Sequence, residues 1–311
     1  MPQKKEKKGF AKWIIAILII MLLGFFSILA AGVIGLLLSI DSTDFNGGNV
    51  AKIEIDGIIT TDAAESYFIT GLSSSTNIVD LIQKADENPE IEAILFEINS
   101  PGGSAVASEE IASEIKKTNK TTVAWIREVG ASGGYWVASA CDYIVASPVS
   151  VTGSIGVISS YLEFSGFLEK YNVTYQRLVA GEYKDMGSPY KGMSRQEKIL
   201  FQQKLDRIHD YFIQNVAENR GMSEEGLKEF ADGQIFLGSE AFENGLIDVL
   251  GSKDEAVAII ESELNITAEI VNYEKPKTLM EILTEASASQ FYRLGQGLGS
   301  SLLQENSLVR T

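Results

Sequence analysis

Few residues in this chain could do covalent chemistry. Ser132 sits in Gly130-Ala131-Ser132-Gly133-Gly134, after an alternating, β-branched run at 122–126 and before an apolar run at 135–140. A strand, a glycine-flanked serine and then a helix is the setting in which a serine hydroxyl becomes a nucleophile. The glycines permit a sharp turn and close approach of another backbone, and the helix start offers free N–H groups to a developing oxyanion. The same five residues also read as an ordinary capped turn, so the rest of the chain must decide.

A nucleophilic serine needs a base. His209 is the single histidine. It lies between Asp206 and Asp210 in the middle of a helical pattern, whereas a triad histidine normally sits on a loop that can present its ring to the nucleophile. A structural or solvated role suits it better. Lysine remains. Its ordinary pKa of about 10.4 must fall to about 7.5 to serve near neutrality, a differential interaction of about 4 kcal/mol. Burial beside a hydroxyl, away from carboxylates, could supply that. Lys184 lies in the loop Ala180-Gly181-Glu182-Tyr183-Lys184-Asp185-Met186-Gly187-Ser188-Pro189, directly after a strand-like run. Nothing in its spacing brings it to Ser132, 52 positions earlier, and a surface role is the ordinary one for a lysine. The single cysteine, Cys141, excludes an intrachain disulfide and reads as a buried, inert thiol. With one histidine and one cysteine, no metal site is expected, and no cofactor.

The elements that must position these groups alternate. Residues 51–59 and 121–126 alternate or β-branch as strands, residues 91–98 form a near-continuous apolar strand, and 142–146 make a further short one. Between them a helix capped by Ser75 or Thr76 carries Ile78, Leu81, Ile82 and Ala85, and another carries Ala107, Ile111 and Ile115. This succession of βαβ units predicts an α/β fold with a mainly parallel sheet, whose sites lie at the carboxyl ends of the strands. Asn99-Ser100-Pro101-Gly102-Gly103 and 130–134 both end strands on this reading, so they should be neighbours. Further on, the pattern predicts a short helix over 162–171, a strand over 174–179, a long helix from Ser194 to Gly221 and helices near 223–231, 238–245 and 252–263. Residues 267–272 read as a strand, 277–298 as an amphipathic helix, and the tail from 299 as mobile.

Charge and hydropathy bound the surroundings. The formal net charge is −16; residues 1–40 carry +4, leaving −20 on residues 41–311, which argues against a nucleic-acid partner. A basic head over 1–12 precedes 28 residues, 13–40, without a formal charge. As a helix these span roughly 42 Å, more than the ~30 Å hydrocarbon core. The run is too long for a cleaved signal peptide, and it predicts one transmembrane signal anchor with the N-terminus cytoplasmic and residues 41–311 outside. Residues 41–50 are a polar linker, 51–265 the main domain and 266–311 a C-terminal extension.

Five ordered motifs together resemble the bacterial signal peptide peptidase A family in its short, single-repeat form. They are Asn99-Ser100-Pro101-Gly102-Gly103, Gly130-Ala131-Ser132-Gly133-Gly134-Tyr135-Trp136, Thr152-Gly153-Ser154-Ile155-Gly156, Gly181-Glu182-Tyr183-Lys184-Asp185 and Asp232-Gly233-Gln234-Ile235-Phe236. The resemblance implies a Clp-protease/crotonase-like fold and a Ser-Lys dyad, with Ser132 as nucleophile, Lys184 as general base and Ser154 as the hydroxyl that holds the lysine. It implies an oxyanion hole from the N–H groups of Gly103 and Gly133, with Gly102 the alternative to Gly103. It also implies a homo-oligomeric ring in the bacterial cell membrane, in which a neighbour completes the groove. Tyr135 and Trp136 are candidates for substrate pockets or for core, and remnant signal peptides are the substrates so implied. A related membrane peptidase acting on a stomatin-like partner, and a catalytically idle crotonase-like scaffold, are the competing readings.

Overall fold

The computed structural model describes residues 18–27, 47–62 and 71–274. The chain forms two units, each taken by itself. One holds residues 1–46 and 275–311, the other Gly47–Glu274. Of the first, residues 18–27 are helical (α1), with apolar side chains such as Leu18, Met21 and Phe25 exposed. No helix among the described residues is long and apolar enough to cross a membrane. Most of the anchor expected over 13–40, the helix expected over 277–298 and the tail fall outside the described residues.

The second unit is built on β1 (Val50–Thr60), β2 (Leu72–Ser74), α2 (Ser75–Glu87), β3 (Ala93–Gly103), α3 (Ala105–Ile115), β4 (Thr121–Ala131), α4 (Gly133–Ser139), β5 (Tyr143–Ala146) and β6 (Val151–Gly153). After these come α5 (Ser165–Lys170), α6 (Arg195–Arg220), α7 (Glu224–Lys228), β7 (Ile235–Leu237), α8 (Gly238–Glu243), β8 (Val249–Leu250), α9 (Lys253–Leu264) and β9 (Ile270–Asn272). The sheet runs β2-β1-β3-β4-β5-β8, with β9 on β1 and β6 on β4, and only the β6–β7 pair is antiparallel. A mainly parallel α/β sheet is what the alternating elements predicted. Ser104 and Ser194 cap α3 and α6 from their side chains, and Gly221 closes α6 in a left-handed conformation. Helix α2 is capped by Ser74, one residue before the position read from sequence.

Strand period 2 divides the burial. Val50, Ala93, Leu95, Val123 and Val145 pack with Ala256 and Ile260 of α9. The alternate residues Ile53, Ile55, Ile94, Phe96, Ile98 and Ile126 are fully buried, and α2, α3 and α4 pack against these strands. Beyond α9, the buried Lys52 meets Glu54 and Glu97, with Lys52 Nζ 3.1 Å from Glu97 Oε2 and Arg127 Nη1 3.1 Å from Glu97 Oε1. Burial alone would lower the Lys52 pKa; the hydrogen bonds it donates to Glu54 and Glu97 outweigh it and hold the ammonium charged.

Two further expectations differ from the structure. Residues 174–179 form no strand, and the helix read over 162–171 is only α5, with none of its residues buried. Both lie in a projecting segment, residues 158–190, where Ile158, Leu162, Phe167, Val173 and Leu178 are exposed, Leu178 at 99%. Period-2 apolar alternation makes a strand only where a sheet edge and an apolar face receive it, and none of the described residues pairs with this stretch. Helix α6 shows the same divide. Phe212, Ile213, Val216 and Ala217 are buried, whereas Ile199 and Ile208 nearer its start are exposed.

Candidate active site

Strands β3 and β4 both run further than their apolar stretches suggest, each past a register shift, and so carry the two glycine motifs side by side at the carboxyl edge of the sheet. Ser132 stands between β4 and α4 with φ 53° and ψ −123°, a conformation an L-residue adopts only under constraint. The constraint is visible. Its N–H donates to the Gly153 carbonyl at 2.8 Å, its carbonyl accepts from Trp136 N–H at 2.9 Å, and every residue of α4 is buried. Its side chain caps nothing in the helix, which leaves the hydroxyl at the start of α4 for other work.

The expected neighbours converge there. Gly102 has φ +94°, and a Cβ on it would lie 2.6 Å from Gly133 N and 2.9 Å from Ser132 Cβ. A Cβ on Gly133 would lie 2.2 Å from Ser108 Oγ and 3.3 Å from Gly103 N. These positions must be glycine because two turns meet backbone to backbone, and the meeting brings the Gly103 and Gly133 N–H groups beside Ser132. A cavity of about 170 Å³ opens on this spot, lined by Ser132, Gly103, Gly133, Trp136, Val157 and Phe212 among others. Through Ala105, Trp136 and Ile208 it adjoins a larger, mainly apolar groove of about 360 Å³. A serine hydroxyl, two backbone donors and an apolar trough can hold an acyl group and stabilise a tetrahedral oxyanion.

Other expected residues divide. Trp136 lines both cavities and stacks on Phe212 with centroids 4.5 Å apart. Tyr135 is core: it is fully buried, its hydroxyl donates to the Leu246 carbonyl at 2.8 Å, and burial pushes its pKa up. Ser154 directly follows β6 with φ 52°, and its N–H donates to the Gln234 carbonyl at 2.7 Å. Lys184 is exposed in a turn of the projecting segment and does not line the Ser132 cavity. Its neighbour Asp185 is clamped by Arg177, at 2.6 Å from Nε, and by Lys191 at 3.1 Å. The Arg177 hydrogen bonds, then those of Lys191, hold the Asp185 carboxyl well below the usual range. Buried Cys141 has its thiol pKa pushed up by burial, as an inert thiol should.

Sequence reading missed the residues that brace the site. The Ser100 hydroxyl is fully buried; it donates to the Gly57 carbonyl at 2.6 Å and accepts from Gly102 N–H at 3.0 Å, fixing the turn that presents Gly103. The Ser108 hydroxyl donates to the Ser104 carbonyl at 3.0 Å beneath Gly133. The Thr152 hydroxyl donates to the Gly130 carbonyl at 2.7 Å. The only available signal was a buried-type spacing of small hydroxyl residues, which does not tell a brace from a cap. His209, the alternative base, has Nε2 3.2 Å from the Ile155 carbonyl. A carbonyl only accepts, so Nε2 carries the hydrogen and is committed to that bond.

The peptidase family S49 profile matches residues 114–267, and that of the NfeD1b N-terminal domain matches 48–165. The chain is 34% identical over 233 residues to a protein of Enterococcus faecium named as a signal peptide peptidase SppA, covering 74% of this chain and 68% of that one. It is 30% identical over 300 residues to a protein of Methanocaldococcus jannaschii named as a protease, covering 94% of each. A Synechocystis protein, also named as a protease, is 33% identical over 255 residues, 80% of this chain and 87% of its own.

Proposed function

Because the chain belongs to peptidase family S49 and is a serine peptidase of the signal peptide peptidase A kind, we propose that it hydrolyses apolar peptides with Ser132 as nucleophile and Lys184 as general base. Lys184 takes the Ser132 proton as the hydroxyl attacks the peptide carbonyl, and the oxyanion forms against the N–H groups of Gly103 and Gly133. Lys184 then gives that proton to the departing amine. Water, deprotonated by Lys184, releases the acyl group in the second step. Ser154 holds the lysine by its hydroxyl. The observation that carries the reading is the convergence of two glycine turns on a strained, uncapped Ser132 beside an apolar cavity.

Lys184 reaches Ser132 from a neighbouring copy. Its exposed position, in a segment whose apolar side chains face outward, supports a homo-oligomeric ring in which the segment of one chain lies over the site of the next. The mainly parallel sheet supports a Clp-protease/crotonase-like fold. Residues 13–40 hold the enzyme as a single-pass anchor in a bacterial cell membrane, with the peptidase unit outside, where remnant signal peptides are the substrates at hand. The match of residues 48–165 to the NfeD1b N-terminal domain favours, as a second reading, a related membrane peptidase acting on a stomatin-like partner. Hydrolysis of apolar peptides by the full chain, beside Ser132→Ala and Lys184→Ala, tests the dyad. Each substitution should lower kcat by about 10⁴-fold or more, and activity retained in either would overturn the assignment. Profiling cleavage in membrane fractions separates signal-peptide remnants from a single protein partner.

A further inference from the structure

We propose that His209 is a positioning residue of the substrate cleft: through Nε2–H it holds the Ile155 carbonyl and so fixes residues 156–158 as the wall facing Ser132. The proposal rests on the reading of Ser132 as nucleophile and adds a residue to that site. The loop after β6 is one that the backbone would not keep unaided. Gly153 and Ser154 are successive residues at φ +76° and 52°, a reversal that must be held from outside. Three successive residues are held. The Gly153 carbonyl accepts from Ser132 N–H at 2.8 Å, Ser154 N–H donates to the Gln234 carbonyl at 2.7 Å, and the Ile155 carbonyl takes the His209 bond at 3.2 Å. The first two partners are backbone groups, so only the third can be altered by changing a side chain.

Past Ile155, which is fully buried, Gly156, Val157 and Ile158 line the cavity that holds Ser132. Among the described residues their backbone makes no hydrogen bond, and Ile158 is 86% exposed. A chain that is tethered at one end and unpaired beyond it can receive an extended substrate backbone only if the tether fixes its direction. Helix α6 supplies that tether and the facing wall together, since Ile208 and Phe212, on either side of His209 in sequence, line the same cavity. The bond needs only a donor at Nε2, so neutral and protonated imidazole both make it, and it does not draw His209 into proton transfer.

The test compares the full-length chain with His209→Ala and His209→Gln, since the glutamine amide can donate to the same carbonyl. His209→Ala should raise KM for an extended peptide about tenfold, with kcat changed less than about threefold. A small fluorophosphonate should still label Ser132 at close to the wild-type rate, and His209→Gln should recover most of the lost affinity. Hydrogen exchange at Ser154, whose N–H donates to the Gln234 carbonyl next to the tether, should quicken in the alanine variant and return toward wild type with glutamine. KM and exchange unchanged in His209→Ala, or glutamine no better than alanine in both, would overturn the proposal. The exchange arm reads the loop whatever Ser132 does, and hydrolysis surviving in Ser132→Ala would instead sink the nucleophile.

Discussion

The half of the molecule that holds Ser132 and the half that holds Lys184 are built on opposite terms. Around Ser132 each strained residue is braced within the same chain. Ser100 fixes the Gly102 turn, the Ser132 N–H is bound by Gly153, and α4 is buried throughout. Around Lys184 several contacts stay within the projecting segment, Arg177 on Asp185, Tyr175 against Tyr190 at 5.5 Å and Phe164 N–H on the Pro189 carbonyl at 2.7 Å, and Lys191, just past it, links Asp185 to Glu197 of α6. Its apolar side chains face outward. A region that leaves so much apolar surface open is shaped for a second surface. On the proposed reading, the oxyanion site is preorganised in one chain, whereas the base arrives with assembly.

That contrast can be broken from either side. The largest single effect in the braced half is expected from Gly133→Ala, which sets a methyl against Ser108 Oγ and so shifts the proposed oxyanion donor. kcat/KM should fall about 10²–10³-fold, measured on a peptide substrate. Lys52→Ala, far from the chemistry, leaves Glu97 buried with Arg127 alone, and should cost about 3 kcal/mol of stability by denaturant unfolding. In the open half, Leu178→Glu should leave unfolding within about 0.5 kcal/mol. It should lower the assembled mass in light scattering, and with it peptide hydrolysis.

The smallest effect concerns pH. The Asp185 carboxyl is depressed, so the order it gives the segment is present above the usual carboxylate pKa of about 3.9 and is lost as pH falls through its lower folded value. Arg177→Ala should move the Asp185 titration up toward the usual value, read by NMR, with little change in activity near neutrality.

Legibility in the sequence followed the same divide. Alternating runs placed β1 and β4 and a near-continuous apolar run placed β3, glycine pairs marked the carboxyl ends of β3 and β4, and serines announced the helix starts, because each signal is local. The neighbourhood of the two glycine turns followed from parallel topology. The braces Ser100, Ser108 and His209 were not legible, since each acts on a backbone group whose position depends on the register between elements. The strand expected over 174–179 failed for a related reason. Alternation records which side chains are to be buried, not what buries them. The place of Lys184 relative to Ser132 belongs to the same class, which is why motif resemblance could name the pair and spacing could not.

The division of the dyad between copies is open to one direct measurement. Ser132→Ala and Lys184→Ala chains, each inactive alone, are unfolded or dissociated together, reassembled in equal amounts and assayed on an apolar peptide. If a neighbour supplies the lysine, roughly a quarter of the sites in a randomly mixed ring carry both intact groups, and activity returns to about that fraction of wild type. No recovered activity, in assemblies that demonstrably contain both variants, would place serine and lysine in the same chain and contradict the account.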